Sequence, residues 1–319
     1  MKAWMRLLSI TFTSRLLKKS ITFGNNRLQG KDDFNIDVKI YKYMSTLKDS
    51  ASVKITNLTY GEIIRLIQGQ FYDVEIKAGY EDLGQRTIFK GGVLFISNSV
   101  NTRKENVIII SCASSLVARF GQRRISINLN SGINTYSALN YVCKRAGIPN
   151  SNISTQFKKD FIEDVISANQ DAPSFMDSLT KNNTSVIANS DASDGSFLTL
   201  FNSKRSNSRI YKIDSNSVIL SGGYPQLTKD GLTFDTLPSI NYMCGDTVII
   251  DNSLINIGSE IGSNPSPEAM SKGYYLDKEG KYMIYQMEYS LQNRGSNFSV
   301  KLYGKARGLI SNYIGGLNG

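Results

Sequence analysis

The sequence predicts a mainly β protein: two β-barrel domains flanking an α+β insertion. Three observations predict it. Residues 34–97 contain four runs, FNIDVKIYK, ASVKITNLT, YDVEIKAGYE and TIFKGGVLFIS, each alternating apolar and polar side chains and each ending at a turn signal. Period-two alternation marks a strand with one buried and one wet face. The texture lapses after residue 113, where two amphipathic helical segments occur. It returns from residue 206 and closes with YMIYQMEYSL and FSVKLYG. At 319 residues the chain has room for two or three domains. The expected division is a first barrel over 1–113, the insertion over 114–205, a second barrel over 206–307 and a Gly-rich tail over 308–319.

Taken in order, LLSITFTS and KSITFG near the N-terminus alternate as strands do. The polar segment 24–33, with Asn25, Asn26 and Gly30, reads as the turn of a hairpin between 21–23 and 34–43. Residues 52–58 continue the sheet. Residues 59–68 place Ile63, Ile64, Leu66 and Ile67 behind the cap residue Thr59, which predicts a short helix. Strands follow at 71–78, 87–97 and 107–113, and 114–120 leads out of the barrel. In the insertion, 135–146 carries Tyr136, Leu139, Val142, Cys143 and Ala146 at helical spacing, with Asn134 or Thr135 as the cap and Gly147 and Pro149 as the stop. A second helix is expected at 172–182, then strands at 185–189 and 196–201. The second β region supplies 218–223, 231–236 and 247–252, a patternless loop at 258–273, and a final hairpin of 282–291 and 298–304 turning at 293–296.

Composition excludes several chemistries. The chain has no histidine, so Ser-His-Asp and Cys-His nucleophilic catalysis and His-liganded zinc are ruled out. Cys112, Cys143 and Cys244 are odd in number and far apart, and read as small buried hydrophobes rather than a disulfide framework. No apolar run reaches the length of a membrane span. The net charge of +10 is uneven: residues 1–31 hold seven basic residues and no acid, which leaves +3 for the rest. A nearly balanced body does not predict a broad nucleic-acid footprint. The basic N-terminus superficially suggests a targeting peptide, but Arg6 and Arg15 interrupt its apolar stretch and no small-residue cleavage site follows. It is expected to be a first strand facing an acidic surface of a partner.

Candidate sites are few. Asp160, Glu163 and Asp164 cluster between the helices, and Asp191 and Asp194 share a turn. A glycosidase would need such a pair, while a solvated face or turn needs only exposure. The stretch SDASDGS at 190–196 resembles a calcium loop but lacks its spacing and its final Glu. The pairs Gly91-Gly92, Gly222-Gly223 and Gly315-Gly316 sit in no phosphate-binding motif and are expected to serve bulges or bends. Gly79, Gly91 and Gly245 are expected at bends or turns. Aromatic and basic residues over 272–289 could stack on nucleic acid or sugar, but Tyr282, Ile284 and Gln286 have strand spacing and are expected in core and subunit interface. No catalytic residue, cofactor site or metal site is expected.

Three stretches in order resemble the phage baseplate hub family, the tail protein D-like proteins with their T4-like and Mu-like relatives. They are 34–97; INTYSALNYVCKRAGI with APSFMDSLTKNN; and ILSGGYPQLTKDGLTFDTL with CGDTVIIDNSLIN and the closing hairpin. The resemblance spans nearly the whole chain and rests on the ordered set, because no single motif is specific. The basic N-terminus and residues 240–243 depart from the family's wording. The resemblance implies tube-type barrels flanking a LysM-like insertion. It also implies a homotrimer forming a pseudo-hexameric ring that joins a sixfold tail tube to a threefold central spike, in a tail of the contractile type. The implied partners are the tube, spike, wedge and tape-measure proteins. DNA passes through unbound, there is no membrane insertion, and the location is the virion after assembly in the host cytoplasm. The alternative is a tail-associated cell-wall hydrolase or peptidoglycan-binding protein.

Overall fold

The computed structural model describes residues 6–14, 16–24, 34–44, 49–68, 71–100, 106–114, 124–148, 151–180, 185–187, 198–201, 209–213, 223–238, 242–257, 266–268 and 274–307. The chain is mainly β. The first region contains β1 (Arg6–Ser14), β2 (Lys19–Gly24), β3 (Asn35–Tyr43), β4 (Ser50–Thr56), α1 (Tyr60–Gln68), β5 (Asp73–Tyr80), β6 (Gly84–Val100) and β7 (Asn106–Ser114). Alternation sets the inner face: Ile36, Val38 and Ile40 of β3 are buried, as are Ala51, Val53 and Ile55 of β4. In α1, Ile63 and Leu66 point inward, and Thr59 and Glu62 form a reciprocal capping box, with Thr59 N–H donating to Glu62 Oε2 at 2.8 Å.

The middle region contains β8 (Arg124–Leu129), α2 (Thr135–Ala146), β9 (Ser151–Ile153), β10 (Ile166–Asp171), α3 (Ala172–Thr180), β11 (Ser185–Ile187) and β12 (Leu198–Phe201). Asn134 caps α2 by accepting from Ser137 N–H at 2.8 Å, and Gly147 ends it at φ 71°. This region has its own core, in which Leu139, Val142, Phe157, Phe175, Met176 and Leu200 meet. The strand pair β8–β10 is additional to the expected elements.

The last region contains β13 (Ile210–Ile213), β14 (Gln226–Thr228), β15 (Gly231–Thr236), β16 (Thr247–Ile250), β17 (Asn256–Ile257), β18 (Lys281–Gln292) and β19 (Phe298–Ala306). The closing hairpin forms where its two alternating runs predict it.

Both β regions belong to one 14-stranded sheet, with main path β17-β14-β15-β19-β18-β3-β4-β7-β6-β5-β1-β2. They meet where β18 pairs antiparallel with β3, from Gln286↔Tyr43 to Gln292↔Asp37. The buried residues of both regions form one cluster that includes Leu8, Phe12, Ile40, Tyr80, Leu291 and Val300.

The expected hairpin between 21–23 and 34–43 is corrected. β2 pairs with β1, from Ser9↔Gly24 to Ser14↔Lys19, while both edges of β3 are taken by β4 and β18. The β1–β2 connection closes a shorter loop than the ten-residue segment 24–33 would, at a smaller cost in chain entropy. The expected exit segment 115–120, the strand at 218–222 and most of the loop at 258–273 lie outside the described residues.

Candidate assembly surface

The widest feature the fold builds is the wet face of the joined sheet. Side chains opposite to the core stand on β15, β19, β18, β3, β4 and β7. Asp235 lies opposite Lys301, which lies opposite Glu288, which lies opposite Tyr41. Lys39 sits between Ser290 and Ser52, and Asp37 between Gln292 and Lys54. Gln292 Nε2 donates to Asp37 Oδ2 at 3.1 Å, and Gln286 Nε2 donates to Glu288 Oε1 at 2.7 Å. Three carboxylates (Asp37, Glu288, Asp235) are thus interleaved with Lys39, Lys54 and Lys301, and Lys305 stands further along β19 on the same face. Opposite charges facing each other across strands stabilise the ladder modestly. Burial pushes the Asp235 carboxyl up, Lys301 opposes the shift, and Glu288 adds to it. Burial also raises the Tyr303 hydroxyl pKa, with Glu288 reinforcing the shift.

Several side chains lock the joint between the two β regions. Asn293, in the β18–β19 turn, donates from Nδ2 to Phe34 C=O at 2.6 Å and accepts from Ile36 N–H at 2.8 Å. Arg6 donates to the carbonyls of Gly295 and Ser296 and lies over the Phe298 ring. Tyr80 meets Phe298 edge-on at 5.4 Å between ring centroids. Arg6, expected with the rest of the basic N-terminus to face a partner, thus contacts its own chain. Lys18 and Lys19 are exposed at the β1–β2 turn. On the inner face Lys42 is buried, with Nζ 5.8 Å from the centre of the Tyr289 ring.

β-Bulges decide which side chains the sheet exposes. In the β5–β6 ladder Ile76 faces Phe89 and Lys77 faces Thr87, so Ile88 is the extra residue, and Ile88 and Phe89 are both buried. In the β6–β7 ladder Val93 faces Cys112 and Phe95 faces Ser111, so Leu94 is extra, and Leu94 and Phe95 are both exposed. In β18 the extra residue is Tyr285, whose carbonyl accepts from Met44 N–H at 3.0 Å, next to the β3–β18 joint. The outward pair on β6 escaped the sequence reading. The signal was there in the apolar doublets Ile88-Phe89 and Leu94-Phe95, which interrupt alternation.

The remaining candidates fall as follows. Glu163 and Asp164 are exposed, and Asp160 follows a 3-10 turn, where its backbone N–H donates to Phe157 C=O. Asp191, Asp194, Gly222, Gly315, Gly316 and Lys272 lie outside the described residues. Gly91 and Gly92 sit between the two β6 bulges rather than at either. Gly91 is a point of close approach: an added Cβ would strike the Ala113 carbonyl and lie 2.6 Å from the Phe89 ring. Gly79 is likewise close to the Gly84 carbonyl, whereas Gly245 turns the chain at φ 94°. Tyr282 and Ile284 are core residues, and Gln286 lies on the wet face. All three cysteines are buried thiols outside any disulfide; burial raises the Cys112 thiol to about 12 and the Cys143 thiol to about 11. Among the described residues no group of three or more ligand side chains could hold a metal, and no helix is long and apolar enough to cross a membrane.

No family model and no curated protein matches the chain. Solved structures do. The 43 kDa tail protein of prophage MuSo2 from Shewanella oneidensis aligns at a TM-score of 0.55 and 9% identity, over 96% of this chain and 100% of that one. A tail protein from Neisseria meningitidis MC58 aligns at 0.56 and 8% identity, over 97% and 99%. An Escherichia coli type VI secretion component, described as structurally similar to the T4 bacteriophage tail proteins gp27 and gp5, aligns at 0.53 and 8%, over 85% and 73%. Over nearly its whole length, the chain has the fold of phage tail proteins.

Proposed function

We propose that this chain is the structural hub subunit of a phage tail baseplate, three copies of which form a ring around a channel. Residues 1–113 and 206–307 act as two ring units per copy, so three copies present six units to the tail tube and threefold symmetry to the central spike. Residues 114–205 form a LysM-like ornament with its own core, and 308–319 a tail. The observation that carries this reading is the single, mainly antiparallel sheet through both β regions, locked at the antiparallel β3–β18 ladder. A ring built from covalently paired units needs the pair held at one angle, and a shared sheet with a shared core does that.

The wet face, where carboxylates and lysines are interleaved, lines the channel. Carboxylates set among the lysines weaken the hold of such a surface on a polyanion, so DNA passes without being retained. The role is structural, without a catalytic step. The partners are a tube protein, a spike protein, and wedge and tape-measure proteins, in the virion after assembly in the host cytoplasm. The test is the mass of the purified chain in solution and its binding to isolated tail tubes. A trimer that caps tubes is expected. A monomer that clears cell-wall suspensions overturns the reading in favour of a hydrolase.

A further inference from the structure

β6 runs for 17 residues, but β5 covers only its first part. The β5 ladder ends at Asp73↔Gly92, and one residue on, Val93 N–H donates to Tyr72 C=O at 2.9 Å. From Leu94 onward β6 is paired with β7 on one side, and among the described residues no strand lies on the other. Backbone groups directed away from β7 there form an open sheet edge, which folded proteins normally cover or blunt. The bulge places large apolar side chains where that edge begins. Leu94 is 58% and Phe95 59% exposed; Tyr72 is exposed beside them, and Ile109 stands on β7 opposite Ser97.

The β17 end of the sheet has the same two properties. Among the described residues β17 pairs with β14 alone, Ile257 on β17 is exposed, and Tyr224, just before β14, is 60% exposed. The uncovered part of β6 and the β17 end therefore each offer strand edge to pair and apolar surface to bury.

We propose that the edge of β6 at residues 94–98, with Leu94, Phe95 and Tyr72, docks a second copy of this chain through that copy's β14–β17 end. The proposal rests on the ring reading above and specifies its contact. A closed ring with an odd number of copies is built head to tail, so the surface on one β region must meet a different surface on the next copy. The uncovered edge of β6 and the β14–β17 end are such a pair. Their joining continues the ladder between subunits and removes Leu94 and Phe95 from water.

The test compares the wild-type chain with the double variant Leu94→Ser, Phe95→Ser by mass in solution and by thermal unfolding. Both side chains are exposed in the single chain, so the variant is expected to melt within a few degrees of wild type. Its self-association is expected to weaken about 100-fold or more, as for central apolar anchors of an interface. A variant that stays trimeric at the wild-type concentration dependence overturns the docking site. So does one that stays trimeric and instead loses tube or spike binding. A monomeric wild type overturns the ring reading itself. Amide hydrogen exchange on the wild-type trimer gives a measurement independent of the variant's folding. Protection of amides in 94–98 that is lost on dilution to monomer is expected, and fast exchange there in the trimer overturns the proposal.

Discussion

At Gly91 the absence of a side chain is a packing requirement. The Phe89 ring and the Ala113 carbonyl occupy the space a Cβ would need. Gly91→Val is expected to destabilise the fold by about 3 kcal/mol, the upper range for overpacking, and denaturant unfolding of the purified variant checks it. The cysteines give a second expectation. With all three thiols buried, and those of Cys112 and Cys143 made weakly acidic by that burial, the native protein is expected to resist thiol reagents and to label only on unfolding, as read by mass spectrometry. Glu75 gives a third. Burial raises its pKa, but the Thr87 hydroxyl at 2.9 Å and the ammonium groups of Lys77 and Lys90, each at 3.4 Å, outweigh burial and lower it. Because the folded carboxyl is the stronger acid, its stabilisation is present above the ordinary carboxylate range and is lost as pH falls through the folded pKa. Glu75→Gln is therefore expected to cost about 0.5 kcal/mol at neutral pH and nothing in strong acid, measured by unfolding at both pH values.

At the scale of elements, caps and bulges decide as much as hydrophobic alternation does. Removing the α2 cap with Asn134→Ala is expected to cost about 1 kcal/mol, read from the thermal unfolding of the variant. The elements themselves were largely legible. α2 was predicted with its observed bounds, because cap, helical spacing and Gly stop all agree within the same twelve residues. Pairings were less legible. The β1–β2 hairpin was misassigned because alternation identifies strands without saying which neighbour each one takes. β6 reads as one strand, yet two bulges at its apolar doublets send Ile88-Phe89 inward and Leu94-Phe95 outward. β10, ISANQD, was missed because only Ile166 and Ala168 turn toward the core, and both are only partly buried, which leaves too weak an alternation to mark a strand.

At the scale of the whole molecule, the two β regions depend on each other. β18 covers an edge of β3, and Phe298 and Val300 belong to the same core as Leu8 and Ile40. A fragment of residues 1–113 is accordingly expected not to fold on its own, since it would expose the β3 edge and part of that core. Near-native circular dichroism with a cooperative melt for this fragment would contradict that expectation. The middle region, with its separate core, is expected to be less coupled to the sheet.

By itself the sequence determined the β texture, the three helices and the caps of two of them, the positions of most strands, and the exclusion of histidine chemistry. These depend on local rules of period, capping and composition. Only the tertiary structure decided that the strand beginning at Asn35 would pair with one beginning at Lys281, that both β regions would share one core, and that a bulge would turn Leu94 and Phe95 to solvent. Those outcomes depend on which strand edges meet and in what register, which residues far apart in sequence settle together.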